Sequence, residues 1–249
     1  MVVQAQEGRL TTSRPRVLVA TAVPAERDAV ARALPGPGRE VRLPGVTLHR
    51  TSGLHDLLAA GVGPALAAAS VSAALTAAAL QDVPYGLVVS TGIAGGFAPA
   101  APVGSLVLAD EITAADLGAE TAEGFLPVTE LGFGTVTHRP PESLVRETAA
   151  ATGARTGVVL TVSTVTGTAA RAAVLRELHP RALAEAMEGF GVAEAAAAHG
   201  VPVLEIRAVS NPVGPRDRDA WRIGAALAAL TTAFGKLTPV LESWNRHDR

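Results

Sequence analysis

Tyr85-Gly-Leu-Val-Val-Ser-Thr-Gly-Ile-Ala-Gly-Gly96 is the stretch on which the reading of the fold turns. Its first half is apolar and β-branched without polar alternation, the pattern of a strand buried on both faces, and such strands belong to sheets covered by helices on both sides. Its second half is rich in glycine. In an open α/β sheet, ligands sit outside the carboxyl ends of the strands, where glycine lets backbone N–H groups come close to a ligand. A Gly-rich stretch after a strand is also the composition of a plain turn. The spacing fits neither a Walker A loop nor a dinucleotide fingerprint.

The same alternation extends outward in both directions. Upstream, Arg16-Val-Leu-Val-Ala-Thr reads as a strand, and Pro24 opens a stretch of helical spacing through Val30 and Leu34. Val41 to Arg50 and Leu54 to Ala60 read as strands around a turn at Thr51-Ser52-Gly53, and Pro64 starts an Ala-rich helix to Leu80. Downstream, Val103 to Ile112 is a strand, followed by a polar, Gly-rich loop from Leu117 to Arg139. Pro140-Pro141 opens a helix that ends near Gly153, Gly157 to Ser163 is a buried strand, and Ala169 to Leu178 is helical. Met187 to His199 is helical and closed by Gly200, Val201 to Ser210 is a strand, and Asp219 caps a last helix running to about Lys236. This pattern predicts one α/β domain over residues 16–249, a central twisted, mixed but mostly parallel sheet between two helical layers, preceded by a disordered leader at residues 1–15.

Composition narrows the function. The 249 residues are 48% hydrophobic, enough for a buried sheet. With no cysteine, disulfides, thiolate nucleophiles and Cys-based zinc sites are excluded, and His49, His55, His138, His179, His199 and His247 show no ligand-like spacing, so no metal is expected. A formal charge of -2 with 3% aromatic residues lacks the basic stripe and stacking platforms of a nucleic-acid binder. The longest apolar stretch, Leu57 to Leu80, is broken by Gly61, Gly63, Pro64, Ser70 and Ser72, and no membrane span is read there. Met1 to Pro15 is polar without an apolar h-region, which gives an expectation of a cytoplasmic protein acting on a small molecule.

Two blocks could carry chemistry. One is Ser90 to Gly96 with Val103-Gly-Ser-Leu-Val-Leu-Ala-Asp-Glu111. The other is Ala186-Met-Glu-Gly-Phe-Gly-Val-Ala-Glu-Ala-Ala196 with Val201-Pro-Val-Leu-Glu-Ile-Arg-Ala-Val-Ser-Asn211. Glu188 sits at a strand-to-helix junction and Ser210-Asn211 at a strand end, positions from which polar groups converge on one pocket. Equally, Glu188 could serve a helix N-terminus through the macrodipole, and Asn211 a turn before Pro212.

Taken together, in order, these blocks resemble the nucleoside phosphorylase/nucleosidase family from about Arg16 to the final helix. The resemblance implies a three-layer αβα fold, cleavage of the N-glycosidic bond of a purine nucleoside, no cofactor, and a homodimer or larger assembly. By position, Glu26 matches the carboxylate that activates the attacking water, and Glu188 the residue that grips the ribose hydroxyls, with Met187 under the sugar. Ile93, Ala94 and Gly95 match the backbone lining the base. Val165 and Thr166 fall where nucleosidases place a base-stacking aromatic and its neighbour, a departure from the pattern.

Asn211 departs further, since adenine-specific members carry an aspartate there that protonates the purine. Ser210-Asn-Pro-Val-Gly-Pro-Arg-Asp217 and Thr161-Val-Ser-Thr-Val-Thr-Gly-Thr168 resemble the branch whose nucleoside carries hypoxanthine, a 6-oxopurine. Breaking a C1′–N9 bond builds positive charge on the ribose and negative charge on the base, so carboxylates near the sugar and a donor near the base fit the reaction. A phosphate-dependent phosphorylase needs cationic or Gly-rich phosphate contacts; Ser90 has no arginine in its loop, although Arg27 keeps that alternative open. A methylthioadenosine/S-adenosylhomocysteine nucleosidase is a second alternative. A non-catalytic nucleoside-binding module is a third, and the pair Glu26 and Glu188 weighs against it. Arg216 and Arg218 follow the pocket strand and are candidates for an anionic 5′ substituent, although a surface salt bridge is the more ordinary use of each.

Overall fold

The computed structural model describes residues 15–244, so the expected leader lies, apart from Pro15, outside the described residues. The order of elements is β1 (Arg16–Thr21), α1 (Pro24–Ala31), β2 (Arg39–Leu43), β3 (Val46–Arg50), β4 (His55–Ala59), α2 (Pro64–Leu80), β5 (Tyr85–Gly96), β6 (Leu106–Ala114), β7 (Gly118–Thr121), β8 (Gly124–Pro127) and β9 (Thr137–His138). It continues with α3 (Glu142–Thr152), β10 (Arg155–Thr161), α4 (Ala169–Leu178), β11 (Ala182–Ala186), α5 (Gly189–Ala198), β12 (Val203–Pro212) and α6 (Ile223–Ser243).

The main sheet runs β11-β10-β6-β12-β5-β1-β4-β3-β2, with β9 on β6. It is mixed, as expected, but not mostly parallel. Pairs β1–β4, β1–β5, β5–β12, β6–β10 and β10–β11 are parallel, while β2–β3, β3–β4, β6–β9, β6–β12 and β5–β11 are antiparallel. The reversal between β6 and β12 sends β6, β10 and β11 against the rest. The tip of β5 then pairs with β11, Gly95 with Glu185 and Gly96 with Ala184, and this closes a ring β5-β12-β6-β10-β11 at one end of the sheet. A twisted layer between two helical layers was expected; a partly closed, barrel-like sheet is observed.

Alternation along β1 and the first half of β5 divides their residues between two large cores. Leu18, Ala20 and Val88 pack with Val71, Ala74 and Leu75 of α2 and with Val192, Ala193 and Ala196 of α5. Val17, Val19, Leu87 and Val89 pack on the other face with Val30 of α1, Leu144 of α3, and Phe234 and Leu237 of α6. Covering both faces is why these strands show no polar alternation.

Several boundaries differ from the sequence reading. Val41 to Arg50 is a hairpin, β2 and β3, around a turn where Gly45 takes a φ of 80°. Leu117 to Arg139 holds the β7–β8 hairpin and β9. β11 was implied only by the strand-to-helix junction at Glu188 and given no bounds, because Ala-Leu-Ala-Glu-Ala carries little strand propensity and is held by its partners on both sides. Asp219 lies in a single 3-10 turn and does not cap α6, which starts at Ile223 and continues through Pro239 to Ser243. The segment Arg218–Ser243 is long and apolar enough to cross a membrane by length and composition, yet Ala226, Leu230, Ala233, Phe234, Leu237 and Leu241 are buried in the protein core.

Candidate active site

A cavity of about 260 Å³ opens where the carboxyl ends of β1, β5, β10, β11 and β12 meet. Glu26, Ile93, Ala94, Gly95, Val165, Thr166, Met187, Glu188, Ser210 and Asn211 all line it. Residues from five separate stretches of chain thus share one wall, as strand ends in an α/β sheet allow. The Gly-rich block is not a turn. β5 continues as strand to Gly96, and its glycines make room: a Cβ on Gly92 would stand 2.6 Å from Glu26 Oε1 and 2.9 Å from Arg207 Nη1, and one on Gly95 would lie 3.4 Å from Asn211 Nδ2.

At one end of the cavity the charges are concentrated. Glu26, the third residue of α1, accepts from the backbone N–H groups of Ala22 at 3.0 Å, Val23 at 3.3 Å and Ile93 at 2.8 Å. It caps its own helix and faces the pocket at once. Burial pushes its carboxyl above the ordinary 4.5, against the pull of the Ile93 N–H and the Arg207 guanidinium. Glu188 is the N-cap residue of α5 but makes no side-chain capping bond. Instead it accepts from the Gly63 N–H at 3.3 Å and from Arg207 Nη1 at 3.4 Å, so its carboxylate is aimed at the cavity and not at the helix end.

Arg207 and Glu205 belong to the same assembly, and the sequence reading assigned neither a role. Arg207 is 1% exposed, and its Nε donates to Glu205 Oε1 at 2.8 Å while Nη2 donates to Ser90 Oγ at 3.1 Å. Burial opposes its charge, yet Glu205, Glu188 and Glu26 together raise its pKa above the ordinary arginine value. Glu205 is fully buried and burial raises its carboxyl, partly countered by Arg207; its Oε2 has no partner among the described residues and faces Gly189, where any Cβ would collide with it. Three carboxyl groups surround one guanidinium, so that their full ionisation would leave an excess of negative charge. The signal was present in the sequence as two charges two residues apart, hence on one face, in an otherwise apolar strand.

At the other end the polar groups are more widely spaced. The Ser210 hydroxyl donates to Asn211 Oδ1 at 2.8 Å, and Asn211 Nδ2 donates to the Pro212 carbonyl at 3.0 Å, leaving the second amide hydrogen free for a ligand. Glu185, also missed from sequence, lines this cavity and is held by Thr166. Trp221 lines it too, with the guanidinium carbon of Arg216 5.4 Å and that of Arg218 6.0 Å from its ring centre. Among the described residues neither arginine has an ion-pair partner, so the surface salt bridge expected for each is not formed. Arg27 pairs with its neighbour Asp28 at 2.7 Å and does not line the cavity. The described residues hold no cluster of three or more His, Cys, Asp or Glu side chains suited to a metal ion.

A sequence-family model described as the phosphorylase superfamily matches residues 16–240. The chain is 79% identical over 233 residues to a futalosine hydrolase of Streptomyces coelicolor, covering 94% of this chain and 99% of that protein. It is 46% identical over 225 residues to a futalosine hydrolase of Acidothermus cellulolyticus, covering 88% and 89% of the two chains. In three dimensions it is similar to the futalosine hydrolase of Helicobacter pylori, with a TM-score of 0.75 at 16% identity over 91% of this chain and 98% of that one.

Proposed function

The chain belongs to the phosphorylase superfamily, and from that premise we infer that it is an N-ribosyl hydrolase that cleaves futalosine and releases hypoxanthine. The observation that carries the hydrolytic reading is the charge balance of the buried cluster: Glu26, Glu188 and Glu205 outnumber the single guanidinium of Arg207. A phosphate nucleophile would have to enter against that excess. The reading that rested on a missing loop arginine therefore changes its ground, because Arg207 does reach Ser90 from β12 but is already engaged by Glu205 and Glu188.

In the proposed reaction Glu26 takes a proton from a water that attacks C1′, the C1′–N9 bond breaks, and the electron pair leaves with the purine, whose anion is held by hydrogen bonds and takes up a proton from solvent to become hypoxanthine. A carboxylate raised by burial is a stronger base near neutral pH than an ordinary one. Glu188 faces the ribose hydroxyls, and the excess negative charge favours the oxocarbenium-like sugar of the transition state. Arg207 is a positioning residue that holds Glu188 and Glu205. Met187 packs under the sugar, while Ile93, Ala94, Gly95, Val165 and Thr166 surround the base, and Asn211 donates to its O6. An amide there favours a 6-oxopurine over the 6-aminopurine of methylthioadenosine.

Arg216 and Arg218, which stand beside Trp221 and have no ion-pair partner among the described residues, are candidates to take an anionic 5′ arm. The hydrolysis belongs to menaquinone biosynthesis by the alternative route, in the cytoplasm. Assembly as a homodimer or larger is supported by the exposed Leu117, Leu131 and Phe133 around the β7–β8 hairpin. Chromatography of purines released from futalosine, methylthioadenosine and inosine, with and without phosphate, tests the activity. Hypoxanthine from futalosine in phosphate-free buffer is expected; strict phosphate dependence or preference for methylthioadenosine would overturn it.

A further inference from the structure

Glu185 has no part in the sugar chemistry, yet it is a buried carboxylate in the wall of the cavity. Thr166 holds it from two directions, its N–H donating to Oε1 at 2.8 Å and its hydroxyl to Oε2 at 2.5 Å. This fixes the plane of the carboxylate and leaves each oxygen a second lone pair. The strand register then places it. On β11, Glu185 pairs with Gly95, and on β12, Asn211 pairs with the same Gly95 from the opposite side. Glu185 and Asn211 therefore stand one strand to either side of a residue without a side chain, two strand spacings or about 10 Å apart between backbones. The gap over Gly95 fits a flat bicyclic base with a polar contact at each edge.

The two contacts differ in kind. Asn211 offers an N–H, whereas an ionised Glu185 can only accept. A 6-oxopurine presents an acceptor at O6 next to a donor at N1–H, and a 6-aminopurine presents a donor at C6 and an acceptor at N1. We propose that Glu185 is a specificity-determining residue that accepts a hydrogen bond from N1–H of the 6-oxopurine, while Asn211 donates to O6. The inference rests on the futalosine reading above and names the residue that reads the second edge of the base. Thr166 is thereby a positioning residue: its N–H is spent on Glu185 and is not offered to the base. Burial raises the Glu185 carboxyl and Thr166 counters this, so a ligand N–H supplies a third donor to the charged form.

The test compares kcat/KM for futalosine and for its 6-amino analogue in the wild-type enzyme and in Glu185→Gln. The amide places an NH2 where an acceptor stood, and the preference for the 6-oxo substrate is expected to fall about 10- to 100-fold, the range of a hydrogen bond to a charged group. Equal loss on both substrates, leaving their ratio unchanged, would be the mark of a structural role and would overturn the proposal. A second measurement needs no variant: calorimetric binding of hypoxanthine and 1-methylhypoxanthine to the wild-type enzyme. Tenfold or more weaker binding of the methylated base is expected, and equal affinity overturns the assignment. Failure of the wild-type enzyme to release hypoxanthine from futalosine would sink the proposed function instead, and the base-binding comparison would still decide the role of Glu185.

Discussion

Replacing Arg207 by methionine removes the one cation from a buried group of three carboxylates while keeping much of the side-chain volume. The guanidinium makes bonds of 2.8 Å to Glu205, 3.4 Å to Glu188 and 3.1 Å to Ser90 at 1% exposure. Removing one partner of a buried ion pair destabilises by about 3–5 kcal/mol, a large part of the roughly 5–15 kcal/mol by which a domain is stable. With urea slopes on the order of 1–3 kcal/mol per molar, the midpoint should fall by about 1–5 M at pH 7.5. The pH dependence carries a sign. Glu205 and Glu26 have folded pKa values raised above 4.5, so between that value and the folded pKa the native state binds more protons than the unfolded chain, and stability falls as pH rises through the window. Arg207 lowers both carboxyls, and its loss lifts the upper end of the window. The variant should therefore be less impaired at pH 5.5 than at pH 7.5, and adding Glu205→Gln should restore part of its stability. Urea titrations at the two pH values measure this. A loss below about 1 kcal/mol at pH 7.5, or one independent of pH, would refute the account of the cluster.

Glu26→Gln should lower kcat by about 100- to 10,000-fold while nucleoside binding is largely kept, because the base is lost but the shape is not; single-turnover kinetics with a binding isotherm check it, and near-native kcat would mean that another carboxylate is the base. Asn211→Asp should cut the kcat/KM ratio of the 6-oxo to the 6-amino substrate by about 5- to 150-fold, since a carboxylate cannot donate to O6; an unchanged ratio would remove Asn211 from base selection. Arg216→Ala with Arg218→Ala should raise KM for futalosine more than for a nucleoside with a neutral 5′ group, and added salt should narrow the difference in the wild-type enzyme; equal effects on both nucleosides would place the 5′ arm elsewhere.

How much of this was legible in sequence depends on which force holds each element. β1, β5 and β12 are largely apolar because both faces are covered, and apart from Glu205 and Arg207 in β12 their composition identifies them as buried strands. β11 is Ala-Leu-Ala-Glu-Ala and becomes a strand through pairing with β10 and β5, a tertiary cause that no local pattern carries. The reversal at β6 is equally silent, since a strand reads the same in either direction. For the cavity, the ordered blocks placed Glu26, Glu188 and Asn211 at strand ends, but Glu185 could be related to them only after the ring closed.

That closure connects the fold to the chemistry. β5 runs along the whole cavity, with Ser90 and Gly92 beside the Arg207 cluster and Gly95 between Glu185 and Asn211. Each of these glycines is required by a different neighbour. Gly92 leaves space for Glu26 Oε1 and Arg207 Nη1, Gly95 for Asn211 and the base, and Gly96 for the Ala101 carbonyl and Val209. An open sheet would leave the tip of β5 unpaired on one side and Glu185 without a fixed place. Pairing Gly95 and Gly96 with β11 turns that edge inward and brings a carboxylate from β11 across from an amide on β12. In the proposed reaction the carboxyl-rich cluster would face the sugar, where positive charge develops, and the donor–acceptor pair would face the departing base. Both halves are ordered by the same strand before any substrate enters.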